Sequence, residues 1–527
     1  MSLLLYVLLF IGSFVFLVFF NDSTMLYGLD ETKNAQCARE MLVRRDWIVP
    51  TFNGELRTDK PPLHYYVMML AYRLFGVNGF AARLGSGLMG ALVMLMTFRM
   101  AERHLSRLAA LWSVTALLAS LHVSVQFRMS VPDPYLIASL TLAFWSGYEA
   151  LTTGKARWAY LAWLGMGLGT LAKGPVALLL PLLTAVVFLT LMRQWSWSVL
   201  QRLWPLSGLG LFALVTVPWY WAVHQQTGGA WTQGFFLKHN LGRYAAAMEG
   251  HGGFWGLPLL YVLVGLLPFS VFLPQAIRRV VHQRRRHPFG LFCLTVAGVV
   301  VGFFMFSGTK LPNYTVPAYP FLAVILGGEL ARPAEGRQNT LSTRISLGVL
   351  AGIMLLLPVA VALALYLDPH LRHIAWVGGL FFLLPLGMAG MLYYLRKQQR
   401  QLALLAVTGA FTGSAWVLYV LAYPVVDREN PVQATLPTLK GREAVVGYRH
   451  FNPAFVFYLN RRIPLLDTPE QMHRQLLAHP ETTVITRTDY LEELTRYPNL
   501  FVIHQRRDLF ERPTTVILER RESISQR

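Results

Sequence analysis

The stretch SLLLYVLLFIGSFVFLVFF (residues 2–20), running directly into NDSTMLYGLDE (residues 21–31), decides how the chain is read. The first part carries no charge and is long enough to cross a bilayer as a helix, which takes about 20 mainly apolar residues. It lacks the basic start and small-residue cleavage site of a signal peptide, and its apolar run is too long for one, so it reads as a permanent span. The second part then sets two adjacent acids, Asp30 and Glu31, just beyond the membrane edge. Outward from there, further apolar runs follow at 80–98, 108–127, 135–150, 158–172, 174–192, 203–223, 254–277, 289–308, 314–331, 345–367, 374–395 and 401–425. Together these predict thirteen spans. Residues 158–172 and 174–192 are separated by Lys173-Gly174 and read as a hairpin.

Composition supports this reading and excludes others. Only 14% of the residues are charged and 54% are hydrophobic, whereas soluble domains run near 25% charged. An ordinary cytosolic enzyme and a disordered chain are both excluded. The acids are uneven: residues 1–425 hold 14 and residues 426–527 hold 13. The expected organisation is therefore a polytopic α-helical membrane region, 1–425, followed by a small soluble domain, 426–527. The net charge of +20 does not call for nucleic acid, because the basic residues cluster between apolar runs, where they orient helices. With a cytoplasmic N-terminus, the inner loops carry 18 Lys/Arg and the short outer loops only Arg128, Lys173, Lys310 and Arg372. An odd number of spans then places 426–527 outside, in the periplasm of a two-membrane cell. The cluster Arg284-Arg285-Arg286 reads as a topology determinant facing anionic lipid. Cys37 and Cys293 have no metal-ligand spacing around them and cannot form a disulfide framework.

The external loop 21–79 holds half the acids of the membrane region: Asp22, Asp30, Glu31, Glu40, Asp46, Glu55 and Asp59. Residues 32–45 have the spacing of a helix lying on the membrane surface. A second surface helix is expected from Pro61-Pro62 to Phe75, since proline is tolerated in a first turn. Such a loop builds a floor where a lipid and a polar substrate can meet. Asp30 has a plain structural reading as the N-cap of helix 32–45, and Arg57-Thr58-Asp59-Lys60-Pro61-Pro62 has one as a turn before proline. Asp133, in Ser130-Val131-Pro132-Asp133-Pro134, reads either as a functional acid at the outer mouth of two helices or as the N-cap of helix 135–150. Lys173 reads either as functional or as a lysine snorkelling from a turn. Loop 224–253 reads as a surface helix, 230–241, with His239 and Arg243 on one face, followed by Gly250-His251-Gly252-Gly253, a flexible stretch able to close over a ligand.

In the tail, short strands are expected at Glu443–Tyr448, Thr482–Thr486, Leu500–Ile503 and Thr514–Leu518. Helices are expected between them at 453–460, 469–478 and 488–496, giving a small α/β domain. It carries no Gly-rich phosphate loop, no Ser-His-Asp arrangement and no pair of acids in a pocket-like setting.

Four elements taken together resemble a known family: Tyr27-Gly28-Leu29-Asp30-Glu31, Asp59-Lys60-Pro61-Pro62-Leu63, the Lys173-Gly174-Pro175 hairpin, and Lys310-Leu311-Pro312-Asn313-Tyr314 with Pro317. The chain is similar to the GT-C membrane glycosyltransferases of family 83, the lipid A aminoarabinose transferases and relatives, and more distantly to the protein O-mannosyltransferases. The resemblance covers about residues 20–330. It implies transfer of a sugar from a polyprenyl-phosphate donor to a lipid acceptor such as lipid A, or to a protein or cell-wall glycan, on the outer face of the cytoplasmic membrane. It assigns the catalytic base to Asp30 and a donor-phosphate contact to Lys60. It also places a lysine at Lys173 and a histidine at His251 and lets that histidine meet an acid, here Asp59, at a metal. The family's usual glutamate is replaced by Asp59, one methylene shorter.

The chemistry fits these residue types. A carboxylate, Asp30 or Asp133, takes a proton or orients the acceptor. The departing lipid phosphate needs cations and hydrogen-bond donors, supplied by Lys60, Lys310, Tyr314 and Arg243. Glu31, Asp59, Lys173 and His251 are expected to contact substrate. A sugar already carried on phosphate needs no nucleotide, and the chain has no DxD motif on an extramembrane domain. No cofactor is expected to be obligatory, although a divalent metal is compatible. A transporter is the competing class, but no inverted repeat is visible and the acids gather at one face.

Overall fold

The computed structural model describes residues 3–203, 205–242, 252–332, 340–494, 497, 499–509 and 513–520. All thirteen apolar stretches are largely helical. Six described helices are long and apolar enough to cross a membrane, seven if one sharply bent pair counts as a single span; Leu3–Val18, Arg107–Leu118 and Val176–Met192 are apolar but shorter.

Several of the expected spans are interrupted. The stretch 108–127 divides into helices Arg107–Leu118 and Leu121–Gln126. Ser120 caps the second through the amide of Val123 and donates its hydroxyl to the carbonyl of Gly265 at 2.5 Å. The stretch 254–277 bends by 111° between Leu257–Gly265 and the helix that follows. The stretch 314–331 opens with a 3-10 segment, Pro312–Ala318, before helix Tyr319–Leu330, as closely spaced prolines require.

The hairpin at Lys173 forms as expected, between helices Ala156–Lys173 and Val176–Met192. Gly174 turns the chain with φ +98°, and a Cβ there would stand 2.6 Å from the Phe235 ring. Helices Asp133–Thr153 and Ala156–Lys173 approach so closely that a Cβ at Gly165 would lie 2.8 Å from the Ser139 carbonyl. Close backbone approach at small residues is how helices associate where lipid removes the usual hydrophobic drive.

The external loop contains the two expected helices, Leu29–Arg44 and Leu63–Phe75, and a hairpin that composition did not signal, β1 (Thr51–Phe52) with β2 (Glu55–Leu56). Helix Leu29–Arg44 starts three residues earlier than expected. Its N-cap is Gly28, with no side-chain capping bond, so Asp30 is not the cap.

The tail forms a five-stranded mixed sheet in the order β4-β3-β5-β7-β6, with β3 (Val445–Tyr448), β4 (Leu465–Leu466), β5 (Thr483–Arg487), β6 (Leu500–Arg507) and β7 (Thr514–Arg520). β3 pairs in parallel with β4 and β5, while β7 runs antiparallel to β5 and β6. The expected helix 488–496 is a 3-10 turn, Thr488–Tyr490, and one helical turn, Leu491–Leu494; Arg496 lies outside the described residues. The sheet region clasps the external loop. Tyr458 accepts from the Leu26 amide at 2.6 Å, and Tyr27 from the Leu509 amide at 3.1 Å. Asn53 exchanges two hydrogen bonds with the Ile463 backbone. Arg39 donates to Asn460 and to the Phe457 carbonyl, and its guanidinium lies 4.4 Å over the Phe457 ring.

Candidate active site

Helix Leu29–Arg44 follows the first span after the non-helical segment 19–28. Asp30 and Glu31 then diverge. Glu31 turns inward, where Arg83 binds it bidentately at 2.8 and 3.0 Å and the Ser130 amide donates at 2.9 Å. The Arg83 guanidinium also donates to the carbonyls of Asn21, Thr24 and Met25. Glu31, a candidate for substrate contact, is thus a buried strut holding the loop to the membrane helices. Asp30 turns outward, with its side chain 57% exposed and 3.6 Å from the Lys60 ammonium.

Lys60 is buried, with its ammonium reaching a cavity of about 470 Å³. That cavity collects Asp59, Lys60, Asp133, Lys173, Asn313 and Tyr314 at polar positions, and Leu136, Val176, Leu179, Leu180, Phe303 and Phe304 as an apolar wall. The external loop, four membrane helices and the 3-10 segment converge on it. Asp133 opens helix Asp133–Thr153 without capping it; the N-cap is Pro132. Its carboxylate accepts from Lys173 at 2.5 Å and from Asn313 at 2.8 Å. Lys173 therefore does not snorkel outward: it bridges Asp133 and the Tyr314 ring, whose centroid is 4.9 Å away.

The Asp59 carboxylate lies 3.3 Å from the Arg57 guanidinium and 3.2 Å from His239. Burial raises its pKa, but Arg57, His239 and Lys60 outweigh burial and hold the carboxyl below its usual range. Trp231 donates to the Arg57 carbonyl at 2.9 Å, tying the segment that carries His239 to this turn. That segment is a short helix, Ala230–Gln233, continued as a wide π turn, Gly234–Gly242. It brings Phe235, Phe236, His239 and Asn240 to the cavity.

Three of the expected site residues are not among the groups seen at the cavity, two of them because they lie outside the described residues. The histidine standing against Asp59 is His239, whereas His251 and Arg243 lie outside the described residues. Lys310 is not among the cavity-lining residues; its ammonium donates to the Ser307 carbonyl at 2.7 Å. No local signal in the sequence singles out His239, inside the predicted surface helix, or Asn313, inside the Lys310–Tyr314 motif. In helix Leu63–Phe75 His64 is fully buried. Burial, with Arg57 and Lys60 nearby, holds its pKa well below the ordinary value, so it adds no charge to the site. Burial likewise pushes the Cys37 thiol up to about 12, which leaves it unreactive. No group of three or more metal-binding side chains occurs among the described residues.

The arrangement offers two ammonium groups at a polar pocket, an adjoining apolar wall, and an exposed carboxylate beside the first ammonium. Residues 59–221 match the family model described as dolichyl-phosphate-mannose-protein mannosyltransferase. An uncharacterized protein of Aquifex aeolicus is 31% identical over 323 residues, covering 61% of this chain and 72% of that protein. The undecaprenyl phosphate-alpha-4-amino-4-deoxy-L-arabinose arabinosyl transferase of Edwardsiella ictaluri is 32% identical over 346 residues, covering 63% of this chain. The chain belongs to the GT-C glycosyltransferases of the lipid A aminoarabinose transferase type. The match spans 62% of the Edwardsiella protein's own length, under two thirds. The fold agrees with the family: the crystal structure of ArnT from Cupriavidus metallidurans bound to undecaprenyl phosphate superposes with a TM-score of 0.80 at 22% identity, over 98% of both chains.

Proposed function

We propose that the chain is a glycosyltransferase that moves a sugar, a pentose or hexose, from a polyprenyl-phosphate donor to a lipid acceptor such as lipid A. The reaction takes place at the outer face of the cytoplasmic membrane. The observation that carries this reading is a cavity in which an apolar wall adjoins the Lys60, Lys173 and Asp133 cluster. An isoprenoid tail fits the wall and a phosphate fits the ammonium groups. The chain crosses the membrane thirteen times, and the sheet region lies outside with the external loop it clasps.

In the reaction, an acceptor oxygen attacks C1 of the sugar. The C1–O bond to phosphate breaks, and its electron pair leaves with the polyprenyl phosphate. Lys60 and Lys173 offset the charge that grows on the leaving group. Asp30, exposed beside Lys60, takes the acceptor proton or orients the acceptor. Asp133 holds Lys173 and Asn313 in place. Asp59, itself fixed by Arg57 and His239, supports the loop next to Lys60. No step requires a metal, so removal of divalent ions by a chelator should leave turnover intact. A protein acceptor is the second reading, favoured by the mannosyltransferase family model.

Mass spectrometry of lipid A and total glycolipids from cells with and without the gene tests this. Loss of one sugar mass from lipid A is the expected result. Loss from protein alone would select the second reading, and no change in any glycoconjugate would refute transfer.

A further inference from the structure

The strongest charged feature away from the cavity lies at the other end of the helical region. Helix Leu273–Gln283 follows the 111° bend. Leu273 and Ala276 are buried against the bundle. Gln275 donates to the Ser342 carbonyl at 3.1 Å and to the Ser346 hydroxyl at 2.7 Å. Arg279 donates to the Gly328 carbonyl at 3.0 Å and lies 3.4 Å from Glu329. The helix is thus fastened along one side. Its other side and the turn after it present Arg278, His282, Arg284, Arg285 and Arg286, all exposed.

Among the described residues these charges meet little opposition. The sequence holds no acid between Glu249 and Glu329. Glu329 already faces Arg279 and Arg332. The turn leads directly into the N-terminus of helix Pro288–Met305, whose dipole adds positive potential. Phe303 and Phe304, near the far end of that helix, line the cavity. At 1.5 Å per residue, Pro288 is about 22 Å from Phe303 along the axis, so the arginines occupy the opposite membrane face.

An apolar surface adjoins the start of this helix, at Gln275. Helix Leu341–Leu367 starts beside Gln275, and its Leu341, Ile345 and Val349 are 74%, 56% and 49% exposed. Their spacing of four places them on one face. Arginines on a helix that touches the start of an exposed aliphatic stripe match a molecule with an anionic head and hydrocarbon tails. A basic amphipathic helix lying in the interface is the general form of such a surface, and guanidinium pairs phosphate oxygens two at a time.

We propose that helix Leu273–Gln283 and its following turn form a binding site for an anionic phospholipid of the inner leaflet. Arg278, Arg284, Arg285 and Arg286 hold the headgroup, and the acyl chains lie along Leu341, Ile345 and Val349. The site is separate from the cavity and does not depend on the transferase reading.

The test uses the full-length protein purified in mild detergent, offered phosphatidylglycerol and phosphatidylcholine in equal amounts, with retained lipid measured by native mass spectrometry. The wild type is expected to retain phosphatidylglycerol in roughly tenfold excess, as several charge-assisted phosphate contacts imply. A variant with Arg278, Arg284, Arg285 and Arg286 all changed to Gln is expected to lose that excess while keeping its elution volume. Should that variant fail to insert, the milder R285Q/R286Q pair is expected to lower the excess severalfold. Equal retention of both lipids by the wild type, or an undiminished excess in the inserted variant, overturns the proposal. So does full displacement of the lipid by inorganic phosphate at millimolar concentration, which would mark a site for a soluble anion.

Discussion

Helix Asp133–Thr153 carries a buried acid near each end, and the two are built differently. Glu149, about 24 Å along the axis from Asp133, has a side chain with no exposed surface. Arg103 pairs with it at 2.9 Å, His104 at 2.8 Å, and Trp145 donates at 3.2 Å. The His104 ring stacks on Phe289 with centroids 4.0 Å apart, so packed side chains close the cluster. Asp133 is paired too, with Lys173 at 2.5 Å, but its surroundings open onto a cavity of about 470 Å³. Charge in a low-dielectric region marks structure where packing closes around it. It marks a site where space is left beside it for another charged molecule.

The largest expected effect that can break this contrast is at the open end. Asp30→Asn keeps the shape and removes the base, and turnover should fall by roughly 10²–10⁴ with an unchanged melting temperature. Near-normal turnover in a purified assay would make Asp30 only a surface partner of Lys60. At the closed end the effect should appear in stability instead. Glu149→Ala leaves Arg103 and His104 without their carboxylate and should cost about 3–5 kcal/mol of stability, as breaking a buried ion pair does. Turnover per folded molecule should stay the same. A Glu149 variant that melts normally yet turns over slowly would erase the contrast.

A smaller effect concerns Asp59. Its carboxyl titrates below the usual range in the fold, so the stability it contributes is present above the ordinary carboxylate value, about 4, and is lost as pH falls through its lowered one. The side chain is 29% exposed, so solvent screening limits this to about 1 kcal/mol or less. Acid unfolding of Asp59→Asn and wild type should therefore show the same pH dependence above about pH 5 and part only below it. A divergence near neutrality would mean that another group drives the change.

Long apolar runs made the membrane helices legible, because bilayer thickness sets their length whatever they pack against. The interruptions were hidden. The break at Ser120 depends on the Gly265 carbonyl, which is distant in sequence. The cavity's acids and lysines were readable as motifs, but their partners were not. Asp133 meets Lys173 and Asn313 only when three separate segments converge, and Asp30 and Glu31, adjacent in sequence, take opposite parts because Arg83 lies on one side of their helix. His239 reaches Asp59 because Trp231 anchors its segment to Arg57. No local pattern ranks His239 above His251. In the tail, β3 and β5 were visible as compact apolar runs, whereas β4 and the hairpin β1–β2 have two-residue strands, too short for any alternation to register.

The central claim is that the cavity holds a lipid phosphate against Lys60. Equilibrium binding of undecaprenyl phosphate to the purified wild type and to Lys60→Met tests it most directly. Removing one cation from a phosphate site should cost about 2–4 kcal/mol, so the variant should bind roughly a hundredfold more weakly or worse while expressing and melting normally. If Lys60 only balances Asp30, 3.6 Å away, its loss leaves the affinity for the lipid phosphate unchanged. Equal affinity in the two proteins would contradict the account.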